Sequence, residues 1–167
     1  MSRSLDFSVD SRAQVEQILS AFGERDYWLD RMSRFGGLDT LASLSVEPDG
    51  TVTAVMVKDV RRGQERSPIA KFLPVQWRVV QQERWQPVGE RRIRGELSVT
   101  PHGTPAYAAG TALLMPTAAG SRIRCVATVE FKAPLLGQQV EKIMGRMLTQ
   151  NVTALQDFTA EWIDVHS

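Results

Sequence analysis

Residues 125–148, CVATVEFKAPLLGQQVEKIMGRML, change hydrophobic period midway. Cys125, Ala127, Val129 and Phe131 alternate with Val126, Thr128, Glu130 and Lys132, the spacing of a half-buried strand. After Ala133-Pro134 the apolar positions recur every three or four residues. Val140, Met144, Met147, Asn151, Leu155, Phe158 and Trp162 fall on one face of a helix, widened by Ile143 and Leu148. Gln139, Lys142, Arg146, Gln150, Gln156 and Asp157 fall on the other. A helix of about 26 residues is close to ~39 Å long, enough to cross a small domain. Its stripe needs a broad concave apolar partner.

The earlier chain supplies one. Leu5, Phe7 and Val9 alternate as a short first strand. Ser11, with Gln14 three residues on, reads as a capping box opening a helix over 11–22, with Val15, Ile18, Leu19 and Phe22 inward and Gly23 as its stop. A second short helix is expected over 24–35, with Tyr27, Trp28, Met32 and Phe35 apolar and Gly36-Gly37 behind it. Six strands follow, at 39–47, 52–60, 75–85, 91–100, 105–115 and 122–132, separated by turn sequences at 48–50, 101–103 and 118–120. Residues 61–74 read as a loop.

A two-residue turn at His102-Gly103 sets Leu97 opposite Ala108, Gly95 opposite Gly110 and Ile93 opposite Ala112. One at Ala119-Gly120 sets Leu114 opposite Cys125, Ala112 opposite Ala127 and Gly110 opposite Val129. Both registers place the same residues on one dry face, against a wet face of Arg92, Arg94, Glu96, Arg122, Arg124, Glu130 and Lys132. The dry face is lined by small residues at Gly95, Ala108, Gly110, Ala112 and Ala127. Glycine within strands marks a bend or a close approach of another group. The expected class is α+β: a curved antiparallel sheet of about seven strands, one N-terminal and six central, gripping the last helix.

That order of elements, with a last strand ending at a proline and entering the helix through a glycine in VEFKAPLLGQQVEKIMGRML, resembles the START-like or SRPBCC superfamily. This group includes polyketide cyclases and the birch-pollen allergen and has the helix-grip fold. The resemblance spans residues 1–165 and is nearest to an uncharacterised actinobacterial branch. It implies a cavity between sheet and C-terminal helix that accepts hydrophobic molecules. The matching positions are Met144, Met147, Asn151 and Leu155 on the helix and Gly95, Leu97, Gly110, Ala112, Cys125 and Ala127 on the sheet. Trp28, Met32 and Phe35 would stand near an entrance. Fold alone does not carry function, since such folds serve carriers, receptors and enzymes alike.

Composition narrows the field. The 167 residues carry a net charge of +1, with 43% hydrophobic and 23% charged side chains, as in ordinary globular proteins. One domain is expected over 1–167, burying roughly 70% of its unfolded surface. Neither the charge nor any stacking-aromatic motif points to nucleic acid. No apolar run reaches the ~18 residues of a membrane span. With no signal-peptide core at the N-terminus, the expected location is the cytoplasm. The lone Cys125 reads as a buried thiol. His102, in a turn, and His166 have no partners at metal-ligand spacing, so neither metal nor cofactor is expected.

The polar groups falling toward a cavity are Asn151, first, then Tyr107 and Gln81. Arg61, Arg62, Arg66, Lys71, Arg91, Arg92 and Arg94 could form a basic rim, but Glu65, Glu83, Glu90 and Glu96 balance them as a solvated face. Three functions follow in order. The first is binding or transport of a small hydrophobic ligand such as a lipid, isoprenoid or polyketide. The second is a cyclase or dehydratase on a similar ligand, which needs an ionisable residue pointing inward. The third is an interaction module or homodimer using Val126, Leu113 and Met115 on the wet face.

Overall fold

The computed structural model describes residues 2–35, 38–59, 78–102, 106–131 and 137–167. In chain order these form β1 (Ser2–Ser11), α1 (Val15–Phe22), α2 (Arg25–Phe35), β2 (Leu38–Val46), β3 (Val52–Asp59), β4 (Arg78–Gly89), β5 (Arg92–His102), β6 (Ala106–Thr117), β7 (Gly120–Phe131) and α3 (Gly137–His166). The strands make one curved antiparallel sheet in the order β1-β7-β6-β5-β4-β3-β2, with the long helix α3 packed chiefly on β1 and β7. The expected α+β architecture is therefore present. The expected loop 61–74, with Arg61, Arg62, Arg66 and Lys71, lies outside the described residues.

The observed register differs from the expected one by two residues at both hairpins. Ile93 pairs with Leu114, Gly95 with Ala112 and Leu97 with Gly110. Ala112 pairs with Cys125 and Gly110 with Ala127, because the last turn is Ala118-Ala119 and Gly120 already belongs to β7. Side chains alternate with period two, so an even slip leaves every face assignment intact. His102 ends β5 opposite Arg78 rather than occupying a turn.

Two local features differ from the sequence pattern. The α1 cap lies three residues later, with the Gln17 side chain accepting the Gln14 backbone N–H at 2.9 Å, while Ser11 Oγ accepts from the Ala13 N–H. The β4–β5 turn passes through Gly89, Glu90 and Arg91, all at positive φ (89°, 54° and 59°). Its backbone is that of a tight hairpin, but Glu-Arg is not a hairpin-turn dipeptide. The Arg91 guanidinium pairs with the Glu16 carboxylate on α1, which fixes the turn against the helix.

The small residues of the sheet have distinct physical uses. A Cβ built on Gly95 would collide with the Trp85 ring, so the indole fills the space the glycine leaves. A Cβ on Gly110 would lie 2.9 Å from the Val126 carbonyl oxygen, which reflects the close backbone approach of β6 to β7. At Gly145 a Cβ would meet Leu5 at 3.3 Å, so α3 settles against β1 along its small residues. The buried residues of α3 are Val140, Glu141, Gly145, Gln156, Thr159, Ala160 and Ile163, with Met144, Leu155, Phe158 and Trp162 half-buried beside them. The buried face thus overlaps the expected stripe but is rotated from it, and Gln156, expected on the solvent side, is buried.

Two outcomes check this packing. Gly95→Val should lower the unfolding free energy by about 1–3 kcal/mol in urea titrations, through overlap with Trp85. The Arg91 hydrogen bond draws the exposed Glu16 carboxyl down to about 2. A carboxyl that titrates lower in the folded state contributes fully above its unfolded range and loses that contribution as pH falls through its folded value. The difference in urea midpoint between wild type and Glu16→Gln should therefore be present at pH ~6 and fade toward pH ~2.

Candidate functional site

Three rows of side chains cross the inner face of the sheet. The first is Val52, Trp85, Gly95, Ala112, Cys125 and Phe7; the second is Ala54, Glu83, Leu97, Gly110, Ala127 and Leu5; the third is Met56, Gln81, Val99, Ala108, Val129 and Arg3. Ala54 and Met56 near one end, and Ala127 and Val129 near the other, are buried. Leu97, Val99, Ala108, Gly110 and Ala112, between them, are only half-buried. The middle of the concave face thus keeps solvent-accessible surface where the flanking positions do not.

One end of this accessible stretch is polar. Glu83 and Gln81 stand directly across β4–β5 from Leu97 and Val99, at the ~5 Å side-chain spacing of facing strand positions. Arg31 of α2 donates to Glu83 through Nη2 to Oε2 at 2.6 Å and through Nη1 to Oε1 at 3.4 Å. Gln81 Nε2 adds a third hydrogen bond to Oε2 at 2.9 Å. The pair is buried, with side-chain exposures of 8% for Arg31 and 5% for Glu83. Burial, the largest single influence, weakens the guanidinium's hold on its proton, but the charge and hydrogen bonds of Glu83, together with Tyr27, outweigh it, and the Arg31 pKa is raised. The guanidinium also lies 4.8 Å from the centre of the Trp28 ring, in cation–π range.

Helix α2 is held at this height by its neighbours. Trp28 Nε1 donates to the Phe22 carbonyl at 2.7 Å. Thr159 Oγ1 donates to the Leu155 carbonyl, so the Tyr27 hydroxyl, 2.8 Å away, is the donor to Thr159. Burial pushes the Tyr27 phenol pKa up, which keeps it a neutral donor. Trp162 Nε1 donates to Asp30 at 2.9 Å, and Phe35 meets Phe158 edge-on. Phe22, Tyr27, Trp28 and Trp85 form one aromatic cluster beneath these contacts.

The residues expected at the site separate accordingly. Leu97, Gly110 and Ala112 line the accessible stretch, with Met144 and Leu155 half-buried on α3, while Cys125 and Ala127 are buried in the sheet. Gly95 is occupied by the Trp85 ring. Trp28 and Met32 are buried in the core, and Phe35 is exposed. Met147, 38% exposed, and Asn151, also exposed, stand off the buried face of α3. Tyr107 is on the outer face and 47% exposed, since it alternates with Ala108 and Gly110.

Glu83 and Arg31 are the polar pair missed from sequence. Glu83 was expected on a solvated face as a balance for the arginines. The available signal was its alternation, since Gln81, Glu83 and Trp85 share one face of a strand whose Trp85 is plainly inward. Among the described residues, no three His, Cys, Asp or Glu side chains form a metal-binding group.

Glu83→Leu should cost about 3–5 kcal/mol in urea unfolding, because it leaves Arg31 buried without its counter-charge. The double variant Arg31→Met/Glu83→Leu should stay within about 1 kcal/mol of wild type. Burial raises the Cys125 thiol to about 11. At pH ~7.5 it should resist a thiol reagent in the native protein and react promptly in urea, both read by absorbance.

Comparison with known proteins agrees with this fold. An uncharacterised protein of Mycobacterium tuberculosis is 32% identical over 170 residues, covering 98% of both chains. Among solved structures, a protein of Thermus thermophilus superposes with a TM-score of 0.55 at 15% identity, over 100% of this chain and 99% of that one. Norcoclaurine synthase of Thalictrum flavum, solved in complex with dopamine and hydroxybenzaldehyde, gives 0.51 at 14% identity over 100% and 89%. The model of the family described as "Protein of unknown function (DUF2505)" matches residues 6–163. The chain therefore belongs to the DUF2505 family, one of the SRPBCC type, with the helix-grip fold.

Proposed function

We propose that this chain, acting as one domain, binds a small hydrophobic molecule in the space between the middle of its sheet and α3. The observation that carries the reading is the half-buried stretch Leu97, Val99, Ala108, Gly110 and Ala112, inward-facing yet still accessible between buried neighbours. Apolar surface left open on a concave face is the ordinary lining of a ligand site. Norcoclaurine synthase, of similar fold, holds two aromatic molecules in its structure. Lipids, isoprenoids and polyketides match the apolar lining here.

A cyclase or dehydratase is the second reading, favoured by Glu83 as an inward ionisable group. The carrier ranks first because Glu83 accepts three hydrogen bonds from Arg31 and Gln81, and moving a proton onto it would forfeit the ion pair. The described helices include none long and apolar enough to cross a membrane. We assign the activity to the cytoplasm, with a homodimer through the outer face around the exposed Val126 as a subsidiary proposal.

Native mass spectrometry of protein purified from its own host, followed by organic extraction, tests the reading. The expected result is a reproducible adduct, released on denaturation. Ala108→Phe, which fills the space without touching Glu83, should lower adduct occupancy about tenfold or more. Full occupancy in a folded Ala108→Phe protein would contradict the assignment.

A further inference from the structure

The apolar lining explains why a hydrophobic molecule would enter, but not why a buried ion pair borders its space. We propose, building on the binding reading above, that Arg31, Glu83 and Gln81 form a polar subsite that selects ligands bearing an uncharged hydroxyl over carboxylates and over ligands without a hydrogen-bond donor.

The argument rests on counting charges and hydrogen bonds. The pair carries no net charge, with Arg31 and Glu83 2.6 Å apart and both buried. An anionic head group would bring a second negative charge beside Glu83 where water does not screen it, and it would find the nearby cation already neutralised. A carboxylate offers about four acceptor positions, and Glu83 uses three on Arg31 and Gln81. A ligand hydroxyl can donate to the fourth. A ligand without a donor leaves that position unused, and a site built to bond a hydroxyl discriminates against the analogue without it.

Isothermal titration calorimetry of the full chain at pH ~7.5, with decan-1-ol, 1-methoxynonane and decanoate, tests the proposal. The first two have the same number of heavy atoms, and only the alcohol can donate. Wild type should bind the alcohol about tenfold or more tightly than the ether and the carboxylate. Glu83→Gln, which leaves Arg31 cationic, should shift the preference toward decanoate by about tenfold. Because that variant leaves a buried charge and can fail to fold, Arg31→Met/Glu83→Leu provides the second arm. It should bind the ether as wild type does and lose the alcohol's advantage over it. Equal wild-type affinity for alcohol and ether, tighter binding of decanoate than of the alcohol, or an alcohol advantage that survives in the double variant would overturn the subsite. A wild type that binds none of the three would overturn the binding reading itself and the subsite with it.

Discussion

A guanidinium and a carboxylate held 2.6 Å apart, both withdrawn from water, set the height of the helices over the sheet. Each charge loses several kcal/mol of hydration on burial, and only close contact with the other recovers it. Arg31 therefore cannot leave Glu83, and α2 cannot lift from β4 or slide along it without exposing that cost. The consequence extends to α3, because Tyr27 and Asp30 of α2 bond Thr159 and Trp162. The pair thus acts as a spacer. It fixes α2 near one side of the concave face, while α3 rests chiefly on β1 and β7 at the other.

What lies between is governed by side-chain size. Where the Trp85 ring crosses Gly95, the absence of a Cβ is used up by aromatic packing. At Gly110 it is used up by the neighbouring backbone. Ala108 and Ala112, on the same strand, keep accessible surface. The small-residue stripe is thus part curvature, part packing and part open lining, and these uses are separable only residue by residue.

The sequence made much of the fold legible and less of the site, for physical reasons. Alternation alone assigned the faces of β5, β6 and β7 correctly, although the pairing was off by two, since period-two chemistry tolerates an even slip. The Glu90-Arg91 turn was hidden because its positive φ values are sustained by tertiary contact with Glu16 rather than by turn residues. The face of helix α3 is legible at Val140, Met144, Leu155, Phe158 and Trp162, but not at Met147 and Asn151, which are exposed, whereas Gly145 makes the close approach to Leu5 of β1. Glu83 was misread because a charged residue in an alternating strand looks solvent-facing until its partner is known, and that partner lies 52 positions away on a helix.

The most direct measurement of this account is an experimental electron-density map of the protein purified from its host. The account predicts a space on the order of 300 Å³ or more between Ala108, Leu97 and α3, bearing ligand or ordered-water density that reaches Glu83. Side chains of the chain itself filling that space, with Arg31 and Glu83 sealed beneath them, would contradict it.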